Sequence, residues 1–291
     1  MIARVGTVSV ICFAHHKGGT GKTTSCLNIA GFLKQAGERV LIIDTDPQGN
    51  ATAGLGVDPG SLEYSMYDVF MGSFEGFPSV GIRDVVRESR SGVDIAPANL
   101  ELVGVEPFLY SAEDRASFLS RALADVRGLY DYILIDTPPS MGQFVINGLV
   151  ASDHTVVTFD RGVFALKGLT TLRTIFEDIR DILGEQIRAE MAILTRWGPV
   201  NIGERSRWAT FVARLRGESS AKMGDEQASL DLIRLEVEKY FDQVYTVPFD
   251  TAIYHAQQQG LPISDVAPES AAGVAYRTIA EGMKGWAGQM P

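Results

Sequence analysis

Six apolar runs punctuate the chain, at 8–14, 39–44, 132–136, 154–159, 190–195 and 244–247. Most are continuous rather than alternating, as in Val40-Leu41-Ile42-Ile43 and Ile133-Leu134-Ile135. Continuous apolar strands are buried on both faces, which is the habit of a parallel sheet covered by helices. Residues 93–96 offer a shorter further strand. Helical spacing of apolar positions predicts helices over 23–36, 113–127, 141–150, 166–183, 203–216, 227–242 and 270–287. Residues 50–98 are less regular and rich in Gly and Ser. Strand and helix alternate from the start, so the pattern predicts a three-layer α/β/α fold around a mostly parallel twisted sheet. No repeat, low-complexity tract or linker interrupts it. The expectation is one domain over 1–291, with an elaboration at 196–235.

Composition changes this picture little. The chain has 291 residues, 45% of them apolar and 21% charged, an ordinary globular balance. The net charge of −10 argues against a surface that is basic all over, though not against a local basic patch. Cys12 and Cys26 fall inside apolar segments and read as reduced core residues. No leader pattern opens the sequence, and no apolar run reaches about 18 residues. The cytoplasm is the expected compartment.

Chemistry enters between the first strand and the first helix. Residues 17–24 read Lys-Gly-Gly-Thr-Gly-Lys-Thr-Thr. Strand, glycine-rich loop, helix is the context of a phosphate-binding loop of a P-loop nucleotidase. Gly18, Gly19 and Gly21 free the backbone, so that several N–H groups, including those of Thr20 and Thr24, can face one anion at a helix N-terminus. Lys22 would reach the terminal phosphates of ATP, and the Thr23 hydroxyl would ligate Mg2+. Counting back from Gly21, His16 stands where the usual loop begins with Gly. Lys17 follows it, so two cations flank the glycines and the loop is of a deviant kind.

Two further strands end in carboxylates. Asp44-Thr45-Asp46-Pro47-Gln48-Gly49 follows the second strand, and Pro47 and Gly49 predict a turn there. Ligands of parallel sheets bind beyond the carboxyl ends of strands, so Asp46 can approach a terminal phosphate, orient a water or help hold Mg2+. Asp136 ends the run at 132–136 as a Walker B acid does, and would support Mg2+ through water.

Together these segments resemble the ParA/MinD superfamily of deviant Walker ATPases, most of all its partition ATPases. Lys17 falls at that family's signature lysine. The stretches 40–52, 95–102 and 131–140 resemble family motifs, as do Val247-Pro248-Phe249-Asp250, 256–263 and Ala275-Tyr276. The resemblance implies that Lys17 reaches across a homodimer to the partner's ATP and that hydrolysis depends on Asp46. It also implies that Pro248, Phe249 and Asp250 border the nucleotide. Such ATPases bind DNA non-specifically as ATP dimers, and a ParB-like or adaptor protein releases them by stimulating slow hydrolysis. The expected place is then the cytoplasm, nucleoid-associated when ATP is bound. The same cycle could serve plasmid or chromosome partition, or position a protein organelle or chemoreceptor array.

The chain departs from the family in three places. His15-His16 replaces a usual Asn-Gln pair, Asp160-Arg161-Gly162 replaces a Pro-containing loop, and Phe249-Asp250 lacks a common basic residue. Residues 196–216 hold Arg196, Arg205, Arg207, Arg214 and Arg216 against the single acid Glu204. Arg205, Arg207, Arg214 and Arg216 would flank an apolar stripe on a helix. That pattern fits a DNA-phosphate surface or a packed amphipathic helix equally. The segment from Thr278 has three glycines and a weak apolar face, a poor anchor for a MinD-like membrane cycle. Cysteines placed in the first strand and first helix do not suit an iron–sulfur reductase. Retention of Lys17, Lys22, Thr23, Asp46 and Asp136 argues against a non-hydrolysing scaffold.

Overall fold

The computed structural model describes residues 8–140, 142–161, 174, 176–177, 189–197 and 230–286. Eight strands form one sheet in the order β3-β4-β2-β5-β1-β6-β7-β8. They are β1 (Ser9–Ala14), β2 (Val40–Asp44), β3 (Arg87–Glu88), β4 (Asp94–Ala96), β5 (Tyr132–Asp136), β6 (His154–Asp160), β7 (Ala189–Trp197) and β8 (Gln243–Pro248). Every pairing is parallel except β3 with β4. The six apolar runs and the segment at 93–96 are therefore strands, as predicted. The antiparallel edge pair Arg87–Glu88 had no apolar signal to announce it.

Strand residues alternate between two cores. Ile11, Phe13, Ile42, Leu134 and Ile193 face one apolar cluster with Ile29 and Leu33 of α1 (Lys22–Gln35). Val10, Leu41, Ile43, Ile133 and Ile135 face the other, with Phe70, Leu102, Phe118 and Phe144. The period of two thus survives inside runs that read as continuous, because both faces are covered. Cys12 and Cys26 are buried free thiols, as expected from their setting.

The remaining described helices are mostly short. They are α2 (Asn50–Gly54), α3 (Met66–Met71), α4 (Ile82–Val85), α5 (Glu106–Ser111), α6 (Phe118–Ala122), α7 (Gln143–Ala151), α8 (Thr251–Gln258), α9 (Ile263–Val266) and α10 (Ala271–Met283). The helix predicted over 113–127 is a correction: α-helix covers only Phe118–Ala122, followed by 3₁₀ turns. The reason is tertiary. The Asn147 side chain accepts the Leu119 N–H at 3.1 Å and donates to the Arg115 carbonyl at 2.7 Å, replacing helical bonds at that end. Helix also spans 230–237, inside the range predicted from 227. The helix predicted over 203–216, with Arg205, Arg207, Arg214 and Arg216, lies outside the described residues, as does most of 166–183. Of the elaboration expected at 196–235, Arg196 and Trp197 complete β7, 230–235 are helical, and 198–229 lie outside the described residues.

Parallel order places the carboxyl ends of β1, β2, β5, β6, β7 and β8 along one edge. The site residues singled out by sequence that the structure describes sit at those strand ends, in the loops leaving them or in the first turn of α1.

Candidate nucleotide site

The loop after β1 turns into α1 through Gly21, whose φ of 93° is left-handed. A side chain there would be strained, and its Cβ would lie 2.9 Å from the Thr195 methyl. Gly19 is also left-handed, with φ 75°. Neighbouring strands pin the loop. The Thr195 hydroxyl donates to the Thr20 carbonyl at 2.8 Å, and the Thr20 and Thr158 hydroxyls lie 2.8 Å apart.

Loop and strand ends enclose a cleft of about 440 Å³. Gly18, Gly19, Gly21, Lys22, Thr23 and Thr24 line one side, and Asp46, Asn50 and Thr137 another. Lys22 opens α1 and is only 6% exposed. Burial pushes its pKa down, while Asp136 and Asp46 pull it back up. A cation so placed is poorly hydrated and set to pair with an incoming phosphate.

The acids around it divide the work. Asp44 and Asp136 face each other across the β2–β5 register. Asp44 accepts the N–H groups of Asp46 and Thr52, at 3.0 and 2.9 Å, and the Thr52 hydroxyl at 2.7 Å. Burial still raises its pKa to about 6. Asp136 accepts the Thr23 hydroxyl at 2.7 Å, which ties the end of β5 to the phosphate loop. Burial and then the Asp44 charge push its pKa well above the carboxylate range, against the pull of Thr23 and Lys22. Its Oδ1 is buried with no hydrogen-bond partner among the described residues. Asp46 accepts the Gln48 N–H at 2.9 Å, and the Gly49 N–H closes the predicted turn onto the Asp46 carbonyl. Of the three, Asp46 alone lines the cleft.

This donor set fits Mg2+ with ATP. A hard cation takes hydroxyl, carboxylate and phosphate oxygens. Thr23 offers the hydroxyl, Asp136 can take its hydrogen bond, and the unpartnered Asp136 Oδ1 is left to receive a metal-bound water. Among the described residues no group of three His, Cys, Asp or Glu stands ready to hold a metal unaided. Phosphate oxygens would complete such a site.

A second hollow of about 590 Å³ adjoins the loop. Pro248, Phe249 and Asp250 line it with Arg196, Tyr254 and Tyr276, so the segment after β8 does lie beside the phosphate loop. Asp250, however, is occupied. Its oxygens accept the Ala252 N–H at 2.9 Å and the Ala272 N–H at 3.1 Å, joining the starts of α8 and α10. Burial raises its pKa, but those hydrogen bonds outweigh it and hold it low. Phe249, about half exposed, and Tyr254 are the open aromatic faces.

Lys17 stands apart from the cleft, at its mouth. Its Nζ donates to Asp160 Oδ2 at 3.0 Å, at the end of β6. His15 and His16 stack behind it with ring centroids 4.6 Å apart. Arg196, expected in the basic cluster, instead reaches the phosphate loop and donates to the Gly19 carbonyl at 2.6 Å. Sequence reasoning missed Thr158, Asp160, Thr195 and Arg196 as parts of this site. Their positions at the ends of predicted parallel strands were the available signal.

A family model described as an AAA domain matches residues 8–189. The sporulation initiation inhibitor protein Soj of Bacillus subtilis is 32% identical over 277 residues, 94% of this chain and 96% of Soj. The chromosome partitioning protein ParA of Caulobacter vibrioides is 37% identical over 190 residues, 65% of this chain and 69% of that protein. A crystal structure of cobyrinic acid a,c-diamide synthase from Mycobacterium smegmatis, with bound ADP and magnesium, is 26% identical. It matches with a TM-score of 0.71 over 96% of this chain and 95% of that one.

Proposed function

This chain belongs to the AAA-domain family and, within it, to the ParA/MinD superfamily of ATPases; from that premise we propose that it is a two-lysine ATPase switch for DNA partition. ATP and Mg2+ occupy the cleft between the phosphate loop and Asp46. Lys22 binds the phosphates of its own subunit's ATP. Thr23, with Asp136 behind it, would hold Mg2+, which would screen the phosphate charge. Asp46 orients the attacking water. The Pro248–Asp250 segment borders the base, with Phe249 and Tyr254 as its apolar walls.

Lys17 acts on the partner's ATP in a homodimer. One observation carries this reading: Lys17 does not line its own cleft, although Gly18 beside it does, and its side chain is 41% exposed. A cation on that rim is placed to serve a nucleotide brought against it by a second subunit. Hydrolysis is then tied to dimerisation, and its completion releases the dimer. The kinship with Soj and ParA supports non-specific DNA binding by the ATP dimer and stimulation of hydrolysis by a ParB-like protein. Among the described residues no helix is long and apolar enough to cross a membrane.

The test is size exclusion and a DNA shift with ATP. Wild type dimerises and binds DNA, whereas Lys17→Ala does neither. Replacing Arg205, Arg207, Arg214 and Arg216 together lowers DNA affinity and its salt slope while sparing the dimer. A Lys17→Ala protein that dimerises and binds DNA normally contradicts the reading.

A further inference from the structure

In the single subunit Lys17 is held at both ends. Its backbone N–H donates to His15 Nδ1 at 2.9 Å, and its ammonium donates to Asp160 at 3.0 Å. Burial, then His16 and Lys22, push the His15 pKa down to about 3, so the ring stays neutral and Nδ1 stays an acceptor. A second cation waits beside the same carboxylate. Arg196 Nη2 lies 3.7 Å from Asp160 Oδ2 while donating to Gly19. Arg196 is the one described residue other than glycine with positive φ, at 54°, where the register between β7 and β8 shifts. Such a backbone is unfavourable unless the surroundings hold it.

We propose that Asp160 is a positioning residue that retains Lys17 within its own subunit, and that Arg196 takes over Asp160 when Lys17 crosses to a partner's ATP. The ion pair thus opposes dimerisation and raises the ATP and protein concentrations at which the switch closes. This rests on the reading of Lys17 as the trans lysine.

The geometry suits a reversible latch. The Asp160 side chain is 19% exposed, so losing a cation from it is costly. With Arg196 already in reach, departure of Lys17 is offset. Lys17 is exposed enough to swing, and a half-exposed pair is weak: its worth corresponds to about two- to fivefold in an equilibrium constant. A latch of that size shifts a threshold without locking the enzyme.

The test measures dimerisation directly, by analytical ultracentrifugation at graded protein concentrations with ATP. Asp160→Asn should tighten the dimer about two- to fivefold and raise phosphate release at low protein concentration by a like factor. Asp160→Glu should behave as wild type. In a Lys17→Ala background, monomeric with ATP on the reading above, Asp160→Asn should not restore the dimer, because there is no lysine to release. Monomer binding of a fluorescent ATP analogue checks that each variant is folded. A dimer that is loosened or unchanged by Asp160→Asn overturns the latch, as does a dimer that Asp160→Asn restores with Lys17 absent. If Lys17→Ala alone dimerises like wild type, the trans reading itself has failed, and the latch with it.

Discussion

The floor of the cleft and its rim are built from the same residue types and behave differently. On the floor, Asp44 and Asp136 are fully buried, with fixed donors from Thr52, Asp46 and Thr23. On the rim, among the described residues, Asp160 meets the partly exposed cations Lys17, bonded to it, and Arg196, close by. Burial strengthens each hydrogen bond and penalises any loss, so the floor is a rigid template. Exposure weakens the ion pair and makes exchange cheap, so the rim can move. Under the proposed switch, one lysine in each setting separates holding ATP from sensing a second subunit.

The largest effect should come from the floor's open carboxylate. Asp46→Ala should lower phosphate release at least about hundredfold while ATP still binds, read by single-turnover kinetics. An unchanged rate would remove Asp46 from the chemistry. Asp44 should reveal itself through pH. Its folded pKa of about 6 lies above the ordinary aspartate value of 3.8. The folded state therefore holds the proton more tightly, and stability falls as pH rises from about 4 through about 6. The loss from this group should be about 2–3 kcal/mol without nucleotide. Asp44→Asn is less stable for want of an acceptor, but its deficit against wild type should shrink over that pH range in urea titrations. A deficit that grows with pH would reverse the assigned direction.

Gly21→Ala should strain the loop by about 1–3 kcal/mol and weaken ATP binding correspondingly in calorimetry, because φ is 93° and Thr195 blocks the new methyl. Smallest is the rim. Asp160→Asn should move the dimer constant only about two- to fivefold, in the tightening direction.

The sequence showed the floor well and the rim poorly, for physical reasons. Runs such as 132–136 carry their own evidence, since burial on both faces demands apolar residues and a terminal Asp stands out. The phosphate loop is local, so its spacing alone places Lys22 and Thr23. The bond between Lys17 and Asp160 joins residues 143 positions apart, and only the β1–β6 pairing brings them together. Asp160 read merely as a departure from the family pattern. Helix α8 went unpredicted, although Asp250 before Thr251 is an N-cap signal and caps it in the structure. The helix expected at 113–127 failed because Asn147, distant in sequence, takes over its hydrogen bonds.

The division between the two lysines is tested most directly by mixing two inactive proteins. Lys17→Ala retains Asp46, and Asp46→Ala retains Lys17. If Lys17 serves the partner's ATP, each mixed dimer has one complete site. Phosphate release should then reappear on mixing, at up to about a quarter of the wild-type rate, since the mixed dimer keeps one crossing lysine where paired Lys17→Ala subunits keep none. If both lysines serve their own subunit, no mixed dimer has a complete site. The mixture would stay as inactive as its components.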